Sequence, residues 1–202
     1  MIVQELLKLG TSTLSEASGL ACSFDPAIRP VWKGAALVGP AFPVSCAPGD
    51  NLGIHLAMER APEGSVLVVD ATGYLAGYWG EVFAVAAEAR GIVGLVIDGG
   101  ARDIDALEAH GFPVFARSVC MRGTVKHHAI SVGETTTVAG VTVAPGDMIV
   151  GDADGVMSIP AGRLESTVFA AKERQEKERI LMERLRNGET TLEILGLTHF
   201  RS

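Results

Sequence analysis

The sequence predicts a compact α/β domain with a C-terminal helical arm, and three observations carry that expectation. Val66-Leu67-Val68-Val69 and Leu95-Val96-Ile97 are continuous apolar runs, the pattern of strands buried on both faces beneath covering helices. Helical patterns alternate with them: residues 81–90 are alanine-rich and stop at Gly91, and residues 103–110 stop at Gly111. From residue 162 to 187 the chain is one long charged helical stretch.

Each element follows in order. Residues 2–9 read as a short amphipathic helix, and a second begins near Thr13, where Thr13-Leu14-Ser15-Glu16 has a capping-box outline. Pro26 and Pro30 force an irregular connection. Residues 35–38 and 42–44 read as short strands around Gly39-Pro40. Residues 64–116 form a strand–helix–strand–helix–strand unit that closes on residues 112–115. Further on, residues 135–143, 148–151 and 156–159 read as short strands joined by Pro145-Gly146-Asp147 and Ala153-Asp154-Gly155 turns. Residues 1–161 make the catalytic α/β domain and residues 162–202 a helical arm expected to pack on a neighbouring subunit.

Composition narrows the function classes. The 202 residues hold 17 Lys and Arg against 24 Asp and Glu, a net charge of −7. Such a chain, with no basic cluster before its last third, is a poor nucleic-acid binder and a poor match to an anionic membrane surface. No run of about eighteen apolar residues predicts a membrane span, and residues 1–10 lack the pattern of a signal peptide. Cys22, Cys46 and Cys120 are odd in number and far apart, so they read as free thiols in a reducing cytoplasm.

The chemistry concentrates behind two strands, where layered α/β folds place their ligands. After Ile97 come Asp98-Gly99-Gly100-Ala101-Arg102-Asp103: small residues that let backbone approach a ligand, then a guanidinium and a carboxylate at a helix start. Asp103 also has the place of an N-cap, and Arg102 of its partner. After Val69 the chain reaches Gly80 and Glu81 at the start of the alanine-rich helix, where free N–H groups and the dipole favour an anion. Glu81 is equally at home there as a dipole-matched surface residue. Together the loops bring Glu81, Arg102 and Asp103 to one edge of a sheet. Two carboxylates suit a hard divalent cation that keeps its waters, and the arginine suits the oxygens of a 2-oxo acid.

In the arm, Leu164, Val168, Ala171, Gln175, Glu178, Met182 and Leu185 fall on one helical stripe. Glu178 on that seam either is solvated or reaches the site of a neighbouring subunit. Other residues read as structural: Glu16 as a cap partner, Gly49-Asp50-Asn51 as a turn or helix cap, and His55 as a packing residue. His127 and His128, being adjacent, make a poor metal pair. Lys126 falls outside the strand-end loops, which disfavours a Schiff-base mechanism. Tyr74, Tyr78 and Trp79 are placed to shape a pocket.

The chain resembles the RraA-like family, which contains class II 4-hydroxy-4-methyl-2-oxoglutarate/4-carboxy-4-hydroxy-2-oxoadipate aldolases. The matching strings are Pro48-Gly49-Asp50-Asn51-Leu52 with His55, Trp79-Gly80-Glu81, Arg90-Gly91-Ile92-Val93-Gly94 and Asp98-Gly99-Gly100-Ala101-Arg102-Asp103. Gly151-Asp152-Ala153-Asp154-Gly155-Val156 and Lys177-Glu178 with Asn187-Gly188-Glu189 complete them. The resemblance implies an α/β/β/α sandwich of the swivelling-domain type, assembled as a homotrimer or homohexamer with sites between subunits. It implies Mg²⁺ or Mn²⁺ held directly by Asp103, and through water by Glu81 and by Glu178 of the adjacent subunit. The position of Glu81 is often Asp in the aldolases, so this chain has a longer arm there. It also implies that the amides of Gly80, Glu81, Val82 and Phe83 cradle a pyruvate carboxylate and that Arg102 contacts the substrate. The implied activity is aldol cleavage, with oxaloacetate decarboxylation as a companion. A non-catalytic branch of the family instead inhibits ribonuclease E by protein contact.

Overall fold

Four layers stack as helices, sheet, sheet, helices in the computed structural model, which describes residues 2–201. The elements run α1 (Ile2–Leu9), α2 (Thr11–Ser18), β1 (Arg29–Pro30), β2 (Leu37–Cys46), α3 (Leu52–Arg60), β3 (Val66–Asp70), β4 (Gly77–Trp79) and α4 (Glu81–Glu88). They continue with β5 (Gly94–Ala101), α5 (Ile104–His110), β6 (Val114–Val119), β7 (Ala129–Val132), β8 (Thr136–Val138) and β9 (Val141–Val143). The chain closes with β10 (Met148–Asp152), β11 (Gly155–Ile159), α6 (Leu164–Arg186) and α7 (Thr191–Ile194). The main sheet is ordered β1-β6-β5-β3-β2-β10-β11, with β4 beside β5 and β7 beside β2; β8 and β9 form a separate hairpin.

Alternation along the strands builds the layers. Leu67, Val69, Leu95 and Ile97 point to a core shared with Ile54, Ala57, Ala84, Ala87 and Leu107 of α3, α4 and α5. Val66, Val68 and Val96 point the other way, against Val141, Ile149 and Val156. A third core sets Val150, Met157 and Ile159 against Leu6, Leu14, Val168 and Ala171 of α1, α2 and α6. Each fully buried aliphatic side chain stabilises by roughly 1.5–3 kcal/mol.

The paired strands β2, β3, β5 and β6 are parallel, so their carboxyl ends share one edge. That edge holds the site.

Several sequence expectations are corrected by tertiary contacts. The second helix begins at Thr11, because Asp152 caps it: Oδ2 accepts from the Thr11 N–H at 2.8 Å and Oδ1 from its hydroxyl at 2.6 Å. Glu16 consequently is no cap partner and pairs with Arg174 of α6. The two short strands around Gly39-Pro40 are one ten-residue strand. It pairs with β10 up to Pro40 and with β3 from Ala41, so the punctuation marks a change of partner rather than a break. Asp98, Gly99 and Gly100 belong to β5 itself and not to the loop beyond it. There a Cβ on Gly100 would overlap the Ala76 carbonyl and one on Gly99 would lie 2.9 Å from Ala71 Cβ, so the glycines admit the crossing 71–76 segment. The unpredicted α7 has a true capping box between Thr190 and Glu193.

Cys22 and Cys46 are buried and Cys120 half-buried, all as free thiols. Burial pushes the Cys46 thiol up to about 12, which keeps it protonated and inert. Among the described residues no helix is long and apolar enough to cross a membrane.

Candidate active site

A cleft of about 280 Å³ opens at the carboxyl edge of the parallel strands. Arg102 and Asp103 line it directly after β5, facing Gly80 and Phe83 at the start of α4.

Asp103 adopts a left-handed backbone, φ 58° and ψ 42°. That conformation costs an L-residue roughly 1–2 kcal/mol, least for Asp and Asn. It stands where an N-cap of α5 would stand, but its side chain makes no cap bond to α5. Its Oδ2 instead accepts from the Glu81 N–H at 3.1 Å, on the first turn of α4. Arg102 Nε lies 3.7 Å from the same oxygen, an ion pair too long to be a hydrogen bond. Both side chains are nearly half exposed, 47% and 43%, and so are available to a ligand.

Gly80 permits this approach through space, not conformation, since its φ of −160° is ordinary extended backbone. A Cβ there would overlap Asp103 Oδ2 and lie 3.1 Å from Arg102 Cγ. The sequence signal was present in the Gly80-Glu81 pair, but the steric reason appears only in three dimensions.

The predicted residues do not all converge. The Glu81 N–H is engaged by Asp103, and the Phe83 N–H donates to the Gly80 carbonyl at 3.1 Å. The expected four-amide cradle is thereby narrowed to Gly80 and Val82. The Glu81 carboxylate does not line the cleft; its Oε1 lies 3.6 Å from His110 Nε2, and His110 Nδ1 lies 3.3 Å from Glu88. Glu178 sits on α6, 2.8 Å from Arg174 Nε, and does not line the cleft of its own chain.

Other residues enter that the sequence reading set aside. Lys126 lines the cleft, contrary to its expected place outside the strand-end loops. The reason is a backbone tie: the Val125 N–H donates to Gly49 at 2.9 Å and the Asn51 N–H to Val125 at 3.0 Å, which draws this segment back over the strand ends. His55 is not merely a packing residue; it lines the cleft, with its ring 4.6 Å from that of Phe83. Asn51 joins them, its side-chain amide donating to the Tyr78 carbonyl at 3.2 Å. Of the three aromatic residues expected to shape the pocket, Tyr78 does so, with its hydroxyl accepting from the Gly49 N–H at 2.5 Å. Trp79 is core, stacked between Phe83 and Phe112 at 5.1 and 5.6 Å. Tyr74 stands outside the lining, under the Arg122 guanidinium.

Burial, and then the Lys126 charge, lower the His55 pKa below its ordinary 6.5. The neutral ring is thus the form the fold favours near pH 7. The stability this contributes is present above the unfolded pKa and is lost as pH falls through the folded one. Lys126→Met is expected to raise the His55 pKa part of the way toward 6.5, leaving the larger burial effect in place. An NMR titration of the imidazole resonances checks this; an unchanged or lowered value would contradict the placement of Lys126.

Comparisons with known proteins find relatives along most of the chain. A relative from Halalkalibacterium halodurans, provisionally named a 4-hydroxy-4-methyl-2-oxoglutarate aldolase, is 36% identical over 174 residues, covering 86% of this chain and 83% of the relative. A crystal structure of an uncharacterized protein from Pseudomonas syringae pv. tomato superposes with a TM-score of 0.80 at 30% identity, covering 94% of each chain. The structure of an unusual Streptomyces coelicolor member of the RNase ES inhibitor RraA protein family shares the fold, with a TM-score of 0.79 at 23% identity and coverage of 90% of this chain and 96% of that one. The family description RraA-like, Aldolase/RraA, matches residues 11–158. With most of its length matched and a relative 36% identical over 174 residues, the chain belongs to the RraA-like family.

Proposed function

We propose that this chain is a divalent-metal-dependent lyase that cleaves a C–C bond of a 2-oxo acid. It acts by retro-aldol cleavage of a 4-hydroxy-4-methyl-2-oxoglutarate-type substrate, by decarboxylation of oxaloacetate, or by both, and releases pyruvate through its enolate. The convergence of Asp103, Arg102 and the amino end of α4 on one cleft carries this reading. The aldolase name of the Halalkalibacterium relative supports it.

The residues present fit Mg²⁺ or Mn²⁺. Asp103 offers a partly exposed carboxylate whose hydrogen bond to Glu81 and ion pair with Arg102 both fall on Oδ2. A hard cation that retains several waters needs few protein ligands. Asp103 would hold it directly, and Glu81 and the Glu178 of a neighbouring copy through water. When bound, the cation would supply Lewis-acid polarisation of the keto oxygen.

The chain's own groups do the rest. The Gly80 and Val82 amides, at a positive helix end, bind the 2-oxo acid carboxylate. Arg102 pairs with the keto oxygen and stabilises it as charge develops. In the retro-aldol direction the C4 hydroxyl loses its proton to water, the C3–C4 bond breaks, and its electron pair becomes the enolate. A proton returned to C3 completes pyruvate. Lys126 lines this cleft, but the carboxylate-based site does not require an imine.

The site also favours assembly of copies. Val119 and Met121 are 63% and 91% exposed beside Arg102 and Asp103, an apolar rim suited to a second copy in a trimer or hexamer. Three free thiols and a small acidic substrate fit a cytoplasmic enzyme.

Pyruvate release from oxaloacetate and from the six-carbon aldol, with Mg²⁺ and then with EDTA, tests the reading. Loss of turnover with EDTA and its return with Mg²⁺ are expected. Absence of EDTA-sensitive turnover across a panel of 2-oxo acids would favour the alternative, a non-catalytic regulator that binds ribonuclease E. Arg102→Lys is expected to lower kcat/KM on the order of 10²–10³-fold, because a point charge does not reproduce a bidentate fork. Full activity in that variant would remove Arg102 from the chemistry.

A further inference from the structure

Residues 120–128 leave β6 as a strap that contains no helix or strand. Gly123, Thr124 and Lys126 line the cleft, while Met121 and Val125 face outward and are exposed. A segment of this kind needs external anchors to hold one conformation.

The anchor is the buried carboxylate of Asp50. Oδ1 accepts from the Leu52 N–H at 2.9 Å, at the start of α3. Oδ2 accepts from the His127 N–H at 2.7 Å and the His128 N–H at 2.8 Å. One side chain therefore joins the helix that carries His55 to the strap that carries Lys126. The Asp50 backbone adds a parallel bridge to Val125, one residue before Lys126.

We propose that Asp50 is a positioning residue, whose carboxylate ties the strap to the amino end of α3 and so sets Lys126 relative to Asn51 and His55 across the substrate cleft. The part of this that concerns substrate rests on the lyase reading; the tether itself does not.

The chemistry calls for a carboxylate. Only an acceptor with two oxygens takes three backbone N–H donors in two directions. Asparagine would keep one oxygen and turn an NH₂ toward N–H groups that need an acceptor. Burial raises the Asp50 pKa, and the three amides outweigh it, so the group stays ionised and its hydrogen bonds are charge-assisted.

Hydrogen–deuterium exchange on the intact protein tests the tether. In the wild type the His127 and His128 amides should exchange at least about tenfold more slowly than the Gly123 amide, and Asp50→Ala, which leaves no acceptor, should remove most of that protection. Unprotected amides in the wild type, or unchanged protection in the variant, would overturn the proposal without reference to activity. The wild-type measurement decides this even where the variant does not fold.

Kinetics test the positioning role. Asp50→Asn should raise KM for the six-carbon substrate about tenfold and change kcat less than about threefold. The Asp50→Asn/Lys126→Met double variant should be no weaker than Lys126→Met alone, because both remove one function. Additive losses would show that Asp50 does not act through Lys126 and would overturn the role. A wild type that turns over no 2-oxo acid would defeat the lyase reading and leave the exchange result standing.

Discussion

Asp103→Ala is expected to abolish metal-dependent turnover, lowering kcat/KM by on the order of 10³-fold or more, while the protein still folds. The side chain serves two partners that separate on substitution. It caps α4 through the Glu81 N–H, and it presents a carboxylate beside Arg102 in the cleft. Loss of a cap costs about 1 kcal/mol, a shift of roughly 2–4 °C in melting temperature for a chain of this size. Loss of the carboxylate removes the direct cation ligand of the proposed site. Pyruvate release and a thermal melt on the same preparation measure both effects. A variant that keeps wild-type turnover would end the proposed mechanism.

Gly80→Ala carries the second large effect and probes the same contact from the opposite side. The added Cβ would occupy the space of Asp103 Oδ2 and crowd Arg102 Cγ. Asp103 does not retreat freely, because its backbone is fixed in a left-handed conformation at the start of α5. Overpacking of this kind costs about 1–3 kcal/mol. Displacing the carboxylate and guanidinium by on the order of 1 Å is expected to lower kcat/KM about 10²-fold. Gly111→Ala is the control. It has open space around it but a φ of +69°, so it strains the end of α5 without touching the cleft. Comparable melting shifts with activity lost only in Gly80→Ala would show that the effect is local. Equal activity in both variants would contradict the steric reading.

Much of the fold was legible because its signals are local and redundant. The runs at Val66–Val69 and Leu95–Ile97, the alanine-rich helix and the glycine stops at 91 and 111 locate β3, β5, α4 and α5 without tertiary information. The errors lie where a distant residue overrides a local signal. Asp152 moves the start of α2, and the partner change of β2 carries one strand through Gly39-Pro40. β4, only three residues long, exists because β5 supplies its partner.

The candidate site divides in the same way. Glu81, Arg102 and Asp103 were readable as a group because they follow strands that a parallel sheet aligns at one edge, but the Glu81 carboxylate turns to His110 and leaves Gly80 facing the cleft. Lys126, His55 and Asn51 were not, because backbone bonds from Val125 to Gly49 and Asn51 draw the strap that carries Lys126 against the start of α3. No periodicity encodes that closure.

Taken alone, the chain's chemistry determined the layered α/β architecture, the acidic character that disfavours nucleic acid, and the pairing of an arginine with a carboxylate behind β5. These rest on interactions between residues close in sequence. The tertiary structure decided which helix Asp103 caps, why Gly80 admits no side chain, and which basic and aromatic groups face the ligand. Those outcomes depend on hydrogen bonds and steric contacts between segments tens of residues apart, whose geometry is set only when the cores close.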